Sequence, residues 1–391
     1  MSRPRRPFLN RRLEGLGTTI FAEMSARAVA TGSINLGQGF PDRDGPAEIA
    51  QAAADAVLAG RGNQYPPGPG VPELRQAIVA HDQRFYGQSY DPDTEILVTA
   101  GATEAIAAAL LALVEPGDEV IAFEPYYDSY AANIAMAGGV RVPVTLHPPA
   151  FRPDIYELKK AITPRTRLIL LNSPHNPTGT VFGDAELAAI ARLAVEHDLL
   201  VVTDEVYEHL AFDLKHIPIA QFPGMRERTV SVSSAGKTFA FTGWKVGWVK
   251  AIPELVAAVK TAKQFLTFVS SGPFQYAVAQ ALALPDAYYE KLKADLVARR
   301  DLLTEGLDEI GFRVYPPQGT YFVTADVRPL GYGDGVEFCR ELPDRAGVVA
   351  IPTAIFYDHP ERARSHVRFA FCKQPEVLRE ALKRLSQLNN G

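Results

Sequence analysis

The feature that most constrains the fold is an alternation of short apolar segments with amphipathic helical segments, beginning near residue 95. The apolar segments, such as LILLN at 168–172 and LLVVTDE at 199–205, do not alternate apolar with polar residues. Strands of this kind are covered by helices on both faces, as in a mostly parallel sheet. Helical stretches such as DAELAAIARLAVEHD at 184–198 lie between them. The pattern therefore predicts the α/β class.

A second, smaller unit is indicated after about residue 285. A long charged helix is predicted over 288–310, followed by short strands such as TYFVTADV and HVRFAF and a closing helix, PEVLREALKRLSQL. This mixture is typical of an α+β unit. We therefore expect an N-terminal arm with part of the small domain over 1–45, a large domain over 46–285 and a C-terminal small domain over 286–391.

Composition and charge exclude several classes of protein. A formal net charge of -5 at a pI near 6.0 gives no basic surface for nucleic acid or an acidic membrane, so small-molecule partners are favoured. The longest apolar run, Ala105 to Val114, falls short of the roughly 20 residues that a membrane-spanning helix needs. The first twelve residues are basic and broken by proline, as in a solvated arm rather than a secretory signal.

The cysteines indicate the compartment. Cys339 and Cys372 are far apart and form no CxxC pair. This spacing argues against a disulfide scaffold or a zinc site and fits a reducing cytoplasm. We expect a cytoplasmic location and no metal.

One stretch has two competing interpretations. Ser231 to Thr238 reads SVSSAGKT, which departs from the nucleotide-binding pattern GxxxxGK[ST] only at its first position. Three observations count against a P-loop. The first glycine of the pattern is absent. The residues after Lys237, where a helix should begin, are rich in aromatic, β-branched and glycine residues. The strand that bears the aspartate precedes the lysine, which reverses the usual order. A nicotinamide enzyme is weaker still, because no G-x-G-x-x-G joins a strand to a helix.

The same residues fit a pyridoxal-5′-phosphate (PLP) site. This cofactor needs an amine to form an imine, an acid to keep its pyridine nitrogen protonated, and donors for its phenolic oxygen and phosphate. Lys237, Asp204, Tyr207 and Asn176 supply such a set, together with a serine-rich loop. A free lysine has a pKa of about 10.4, so a nucleophilic lysine needs surroundings that favour its neutral form.

The chain resembles the class I aminotransferases of PLP fold type I along almost its whole length. The matching stretches are, in order, NLGQGFPD, NQYPPGPG, GATEA, EPYYDSY, NSPHNPTG, TDEVYEHLAFD, SSAGKTFAFTGWKVGW and HVRFAFCK. It is most similar to the kynurenine aminotransferase/glutamine transaminase K branch, especially to actinobacterial N-succinyldiaminopimelate aminotransferases. The resemblance implies a large PLP-binding domain, with a mostly parallel seven-stranded sheet between helices, and a smaller α+β domain.

The resemblance also implies roles around the cofactor ring. Lys237 would carry PLP as an imine and, once released, move the proton at the substrate α-carbon. Asp204 would pair with the pyridinium nitrogen, which makes the ring an electron sink. Tyr207 and Asn176 would donate to the phenolic oxygen, and Tyr127 would stack on the ring.

A second group of residues is expected at the phosphate. Ala102 and Thr103 open a predicted helix, whose free N–H groups and dipole suit an anion. Ser234 and Lys245 match the family's phosphate-binding offsets from the lysine, although many members have arginine at the second position. Tyr65 matches a tyrosine that reaches the phosphate from the neighbouring subunit, which implies a homodimer with active sites at the interface.

The substrate carboxylate is expected at Arg368. In HVRFAF the apolar residues share one face of a strand and Arg368 takes the other. By resemblance Arg368 is the clamp for the α-carboxylate, with Asn176 and the Gly39 backbone as helpers. Phe21 and Phe268 indicate a pocket that accepts aromatic side chains.

These features predict an aminotransferase that works by a ping-pong mechanism. Its candidate substrates are N-succinyl-diaminopimelate with glutamate, or kynurenine, glutamine and aromatic amino acids. A PLP-dependent C–S β-lyase of the same fold stays open as the alternative, because lyases of this fold share the cofactor residues.

Overall fold

The computed structural model describes residues 8–16 and 19–390. Of the expected N-terminal arm, residues 1–7 lie outside the described part, and Arg11–Leu13 forms a single 3-10 turn. Arg12 Nη1 donates to the Met136 carbonyl at 3.2 Å, which attaches this turn to the body of the protein. Across the described ranges, every helix is either too short or too polar to traverse a lipid bilayer.

Strands and helices alternate through most of the chain. The strands are β1 (Ile34–Asn35), β2 (Ile96–Thr99), β3 (Glu119–Glu124), β4 (Val140–Thr145), β5 (Thr166–Asn172), β6 (Leu200–Asp204), β7 (Thr229–Ser234), β8 (Gly247–Lys250), β9 (Arg313–Tyr315), β10 (Phe322–Asp326), β11 (Val348–Val349), β12 (Ile351–Pro352) and β13 (His366–Ala370). The helices are α1 (Ile20–Thr31), α2 (Ala47–Leu58), α3 (Pro72–Tyr86), α4 (Gly101–Leu113), α5 (Asp128–Ala137), α6 (Ile155–Ala161), α7 (Asp184–Glu196), α8 (Ala235–Thr238), α9 (Pro253–Lys263), α10 (Gly272–Leu282), α11 (Asp286–Ile310), α12 (Gly335–Ala346) and α13 (Pro375–Leu385).

The large sheet has seven strands in the spatial order β2-β8-β7-β6-β5-β3-β4. All neighbours are parallel except β8, which runs antiparallel to both β2 and β7. The predicted mostly parallel seven-stranded sheet is therefore confirmed. The register places Asn172 beside Asp204 and Asp204 beside Val232, so the ends of β5, β6 and β7 meet at one edge.

Helices cover both faces of this sheet, which explains the uninterrupted apolar strands. Leu168 and Leu170 of β5 pack with α4, α5 and α9 on one side. Ile169 and Leu171 pack with α6 and α7 on the other. Because both faces are buried, polar groups on these strands can reach a ligand only at the strand ends.

The smaller unit is an antiparallel sheet with the order β12-β13-β10-β9. Its core includes residues of α1, α11, α12 and α13, and β1 pairs with β11. The predicted smaller α+β unit is thus present. The domain limits at 45/46 and 285/286 stay predictions, although α11 begins at Asp286.

Candidate active site

A cavity of about 400 Å³ opens at the carboxyl ends of β5, β6 and β7. The structure brings eleven of the twelve residues expected at the site to its wall. They are Gly39, Ala102, Thr103, Tyr127, Asn176, Asp204, Tyr207, Ser234, Lys237, Lys245 and Arg368. Only Tyr65 lies elsewhere.

Lys237 lies on α8, the one-turn helix that directly follows β7. Burial lowers the pKa of its amine to about 8, against the smaller opposing attraction of Cys372 and Asp204. The helix ends at Thr238, and the next helical residues form only a 3-10 turn, Thr242–Trp244. The long helix that a P-loop lysine would open is absent from this described segment. The geometry instead presents a buried amine with a substantial neutral fraction.

Asp204 ends β6 with its carboxylate in the cavity. Burial raises its pKa, while hydrogen bonds from Tyr130 and the Val206 N–H and the charge of Lys237 oppose the rise. Tyr130 Oη donates to Oδ2 at 2.6 Å, and the Val206 N–H donates to Oδ1 at 3.3 Å. A cationic N–H group of a ligand would lower the pKa of Asp204 further and so favour its charged form.

Tyr130 is a residue that the sequence analysis missed. It lies on α5, is 2% exposed and contacts Tyr127 edge to face, with ring centroids 5.9 Å apart. Its position three residues after Tyr127 places both on one side of the helix, which was the available signal. Sequence spacing could not show that the phenol reaches Asp204, 74 residues further along the chain.

A second missed residue, Asn172, connects the two central strand ends. Its Nδ2 donates to the Asp204 carbonyl at 2.8 Å, and its Oδ1 accepts from the Asn176 N–H at 2.7 Å. Tyr207 is buried beside this connection, and its ring meets Tyr321 edge to face at 5.5 Å. Burial raises the pKa of Tyr207, so its hydroxyl keeps its proton and can donate it in a hydrogen bond.

Arg368 on β13 is 1% exposed. Its Nη1 donates to Asn176 Oδ1 at 2.9 Å and its Nη2 to the Gly37 carbonyl at 3.0 Å, while the guanidinium lies 3.9 Å above the Phe322 ring. Burial lowers its pKa to about 10, so it remains cationic at neutral pH. No carboxylate within the described ranges forms an ion pair with it. Asp128 lies on the same wall, but its charge raises the pKa of Arg368 less than Tyr207 and Tyr321 do. A buried cation of this kind suits an anionic ligand.

Gly39 lines the cavity without contacting Arg368 through a hydrogen bond of its own. Its carbonyl accepts from Tyr321 Oη, and the direct contact to the guanidinium comes from the Gly37 carbonyl. Gly39 and Arg368 line the same cavity, and the role of the Gly39 backbone toward a substrate carboxylate stays a prediction.

The opposite end of the cavity suits a phosphate. Helix α4 begins there, and its cap residue Ala100 offers no side-chain acceptor, so the N–H groups of Ala102 and Thr103 face the cavity without intrahelical partners. Lys245 has a φ of 53°. Its Nζ lies 3.1 Å from the point that a Cβ on Gly101 would occupy. A side chain at 101 would fill this cradle.

Tyr65 and Phe268 lie together outside the cavity. Their rings meet edge to face with centroids 5.5 Å apart, and they are 83% and 52% exposed. Phe21, by contrast, lines the cavity, 5.2 Å from the Arg368 guanidinium. Of the two phenylalanines expected at the pocket, only Phe21 lines the cavity of its own chain.

The wall of the cavity fits PLP. Lys237 offers the amine, Asp204 the acid for the ring nitrogen, and the start of α4 with Lys245 a site for the phosphate. Tyr207 and Asn176 line the same cavity and offer polar atoms for the phenolic oxygen. These side chains match the aldehyde carbon, the ring nitrogen and the phosphate of the cofactor.

A family model described as aminotransferase class I and II matches residues 31–385. A probable N-succinyldiaminopimelate aminotransferase of Mycobacterium tuberculosis is 55% identical over 388 residues, covering 96% of this chain and 98% of that protein. A solved structure of N-succinyldiaminopimelate aminotransferase from the same organism has a TM-score of 0.95 and covers 97% of this chain and 100% of that chain.

More distant relatives carry other aminotransferase names. The methionine aminotransferase of Escherichia coli is 44% identical and covers 96% of this chain and 97% of that protein. The kynurenine–oxoglutarate transaminase of Dictyostelium discoideum is 35% identical, with coverages of 97% and 96%. The similarity therefore extends through almost the whole chain and includes the kynurenine branch.

The lowered pKa of Lys237 predicts how the apoprotein captures PLP. Only the neutral amine attacks the aldehyde, so the capture rate should rise about tenfold per pH unit below pH 8 and level off above it. Stopped-flow absorbance between pH 6 and 10 would measure this. Lys237→Ala is the control and should form no covalent adduct. A rate that still climbs at pH 10, as for a free lysine, would contradict the lowered pKa.

Tyr130→Phe should weaken PLP binding. Without the phenol, Asp204 loses one of the hydrogen bonds that oppose the rise in its pKa, and a bond to a charged group contributes about 1.5–3 kcal/mol. We expect the dissociation constant of PLP to rise at least about tenfold in equilibrium dialysis. Tyr156→Phe, at a residue 66% exposed, is the matched control. Equal affinities in both variants would remove Tyr130 from this role.

Proposed function

Since the chain belongs to the class I and II aminotransferases and is a PLP-dependent enzyme that moves amino groups between amino acids and 2-oxo acids, we propose that its substrate is N-succinyl-diaminopimelate, with glutamate as amino partner. The observation that carries the substrate assignment is the 55% identity, over 96% of this chain, to the M. tuberculosis relative with that name. The cavity adds a buried cation, Arg368, that suits an α-carboxylate.

We propose that Arg368 holds the α-carboxylate and so orients the α-carbon toward Lys237. Its two outer nitrogens are already fixed by Asn176 and Gly37, each leaving one N–H for a ligand. The ring of Phe322 lies against the guanidinium and limits access of water. A charge-assisted pair in such surroundings is strong because little solvent competes for it.

When bound, PLP supplies an electron sink that stabilises negative charge at the substrate α-carbon. Lys237 Nζ is the base proposed to take the α-proton, and burial supports this by keeping part of the amine neutral. Asp204 would hold a proton on the ring nitrogen, supported by its position and by the hydrogen bond from Tyr130. Both half-reactions of the ping-pong cycle would use Lys237, Asp204 and Arg368.

The sequence is also compatible with two other functions. The aminotransferase names of the matched relatives do not favour a C–S β-lyase. Kynurenine or aromatic amino acids form the second candidate substrate class, which is supported by Phe21 at the cavity wall and by the 35% identity to a kynurenine transaminase.

A homodimer is part of the proposal. Tyr65 cannot complete the cavity of its own chain, because it lies outside the wall and is 83% exposed. Phe265, Leu266 and Phe268 are also exposed, and the Phe268 ring contacts that of Tyr65, so this segment presents exposed apolar side chains. Such exposure is typical of an interaction surface, and a second copy would place Tyr65 at the neighbouring phosphate site. The cytoplasmic location is supported by two buried, unpaired cysteines.

The substrate can be tested with the purified PLP enzyme and a panel of amino donors. We expect kcat/KM for N-succinyl-diaminopimelate to exceed the values for kynurenine, methionine and phenylalanine at least tenfold. Preference for kynurenine or phenylalanine would favour the second substrate class and leave the aminotransferase assignment intact. Absorbance changes in each half-reaction and release of the 2-oxo acid are the measurements.

Arg368→Ala should lower kcat/KM for every donor with a free α-carboxylate. Loss of one partner of a buried charged pair costs about 2–5 kcal/mol, which is roughly 30- to 4000-fold. Arg379→Ala is the matched control, because this arginine is 63% exposed and forms only a surface pair with Glu376. If both variants keep wild-type kinetics, the carboxylate is held elsewhere.

Mixed dimers can test the position of Tyr65. Lys237→Ala and Tyr65→Ala chains should each be impaired as homodimers. A hybrid would hold one intact site if Tyr65 serves the neighbouring subunit, so random mixing should restore about a quarter of wild-type activity at limiting PLP. No recovery in hybrids that light scattering shows to be dimers would contradict a role across the interface.

A further inference from the structure

A buried polar cluster lies behind the loop that carries Asp204 and Tyr207, outside the cavity described above. We call it the His81 cluster. Its members are His81 and Asp82 on α3, Glu205, Glu208 and His209 after β6, His216, and Lys250 on β8. All but His209 are at most 8% exposed, and His209 is partly exposed.

The charges of the His81 cluster do not balance. It buries three carboxylates, Asp82, Glu205 and Glu208, but one ammonium group, that of Lys250. Lys250 Nζ lies 2.8 Å from Asp82 Oδ1 and 3.7 Å from Glu205 Oε2. Within the described ranges no arginine or other lysine pairs with these carboxylates, and the remaining contacts come from histidines: His81 Nδ1 lies 3.9 Å from Asp82 Oδ1, and His216 Nε2 lies 3.8 Å from Glu205 Oε2. Buried charges need a partner, so with neutral histidines two of the three carboxylates lack a compensating charge.

The cluster also contains polar atoms with no hydrogen bond. They are Asp82 Oδ2, Glu205 Oε2, Glu208 Oε2 and both ring nitrogens of His216. Such atoms are rare inside proteins, and each has an unused capacity to bind water or an ion. Glu208 Oε1, by contrast, accepts a hydrogen bond from Ser233, which holds the carboxylate in place.

Three of these side chains have the arrangement of metal ligands. His81 Nε2 and His209 Nε2 share a hydrogen bond of 2.7 Å, which a bound ion would replace, and a carboxylate oxygen of Glu208 lies within 4.8 Å of the ligand atoms of both. Nitrogen and oxygen ligands of a tetrahedral zinc ion lie about 2.0–2.2 Å from the metal, hence about 3.3 Å from one another. Small side-chain rotations, which separate the imidazoles and bring Glu208 closer, would reach this geometry.

We propose that His81, Glu208 and His209 bind a divalent cation of the zinc class. Two imidazoles and a carboxylate are a donor set that zinc accepts, and the two charges of the ion offset the two uncompensated carboxylates. The partly exposed His209 provides the route of entry. The expectation of no metal rested on cysteine spacing, whereas these ligands come from segments 127 residues apart.

The site would have a structural role. Glu208 and His209 directly follow Tyr207, while His81 belongs to α3. A bound ion would therefore fasten the segment that carries Asp204 and Tyr207 to the helix behind it. Removing the ion should lower the thermal midpoint and accelerate loss of PLP.

The test uses full-length PLP enzyme purified without a nickel column. After saturation with Zn²⁺ and desalting, we expect elemental mass spectrometry to find one zinc ion per chain. Mg²⁺ should not displace this zinc. Glu208→Gln and His209→Asn should each weaken zinc at least about tenfold in competition with a chelating dye. His147→Asn is the control, because His147 and Glu157 form an exposed histidine–glutamate pair, 3.6 Å apart.

The wild-type protein decides the question even if a variant fails to fold. Zinc at less than about a tenth of an equivalent per chain after saturation would overturn the proposal. So would equal zinc binding by folded wild-type, Glu208→Gln and His209→Asn proteins. X-ray absorption that shows two imidazole ligands on the bound zinc would support it, and a spectrum without histidine would contradict it.

Discussion

The active site depends on the burial of both faces of the central sheet. Apolar residues of β5 point alternately into the two helical layers, so the strand has no face on which to carry polar chemistry. Polar groups reach the cavity where the strands end, and the parallel register brings Asn172, Asp204 and Ser234 to the same edge. The position of the cofactor site follows from this constraint.

Burial then sets the electrostatics. It drives Lys237 toward the neutral amine and Asp204 toward the neutral acid, and their mutual attraction opposes both changes. Arg368 stays cationic although no carboxylate in the described ranges pairs with it. The cavity is therefore positive at Arg368, the end at which we propose that the amino acid carboxylate binds. Burial disfavours the ionised form of each group, but it also strengthens the attraction between a remaining charge and a ligand, because little water competes for it.

The segment after β6 has two sides with different tasks. Asp204 and Tyr207 face the cavity, while Glu205, Glu208 and His209 turn into the His81 cluster. The polar interior on the far side therefore borders directly on the residues that would hold the cofactor. A change in the charge or hydration of the His81 cluster would therefore act directly on the segment that carries Asp204 and Tyr207.

Much of this protein can be predicted from its sequence, because strand burial, helix periodicity and short motifs are local properties. They indicated the α/β class, and the resemblance that the motifs carry implied the seven strands and the eleven residues that the structure places on one wall. Tertiary packing alone decided the contacts between distant segments. Arg368 meets Asn176 across 192 residues, and Tyr130 meets Asp204 across 74. Periodicity tells which face of an element is buried but not which residue of another element it meets there.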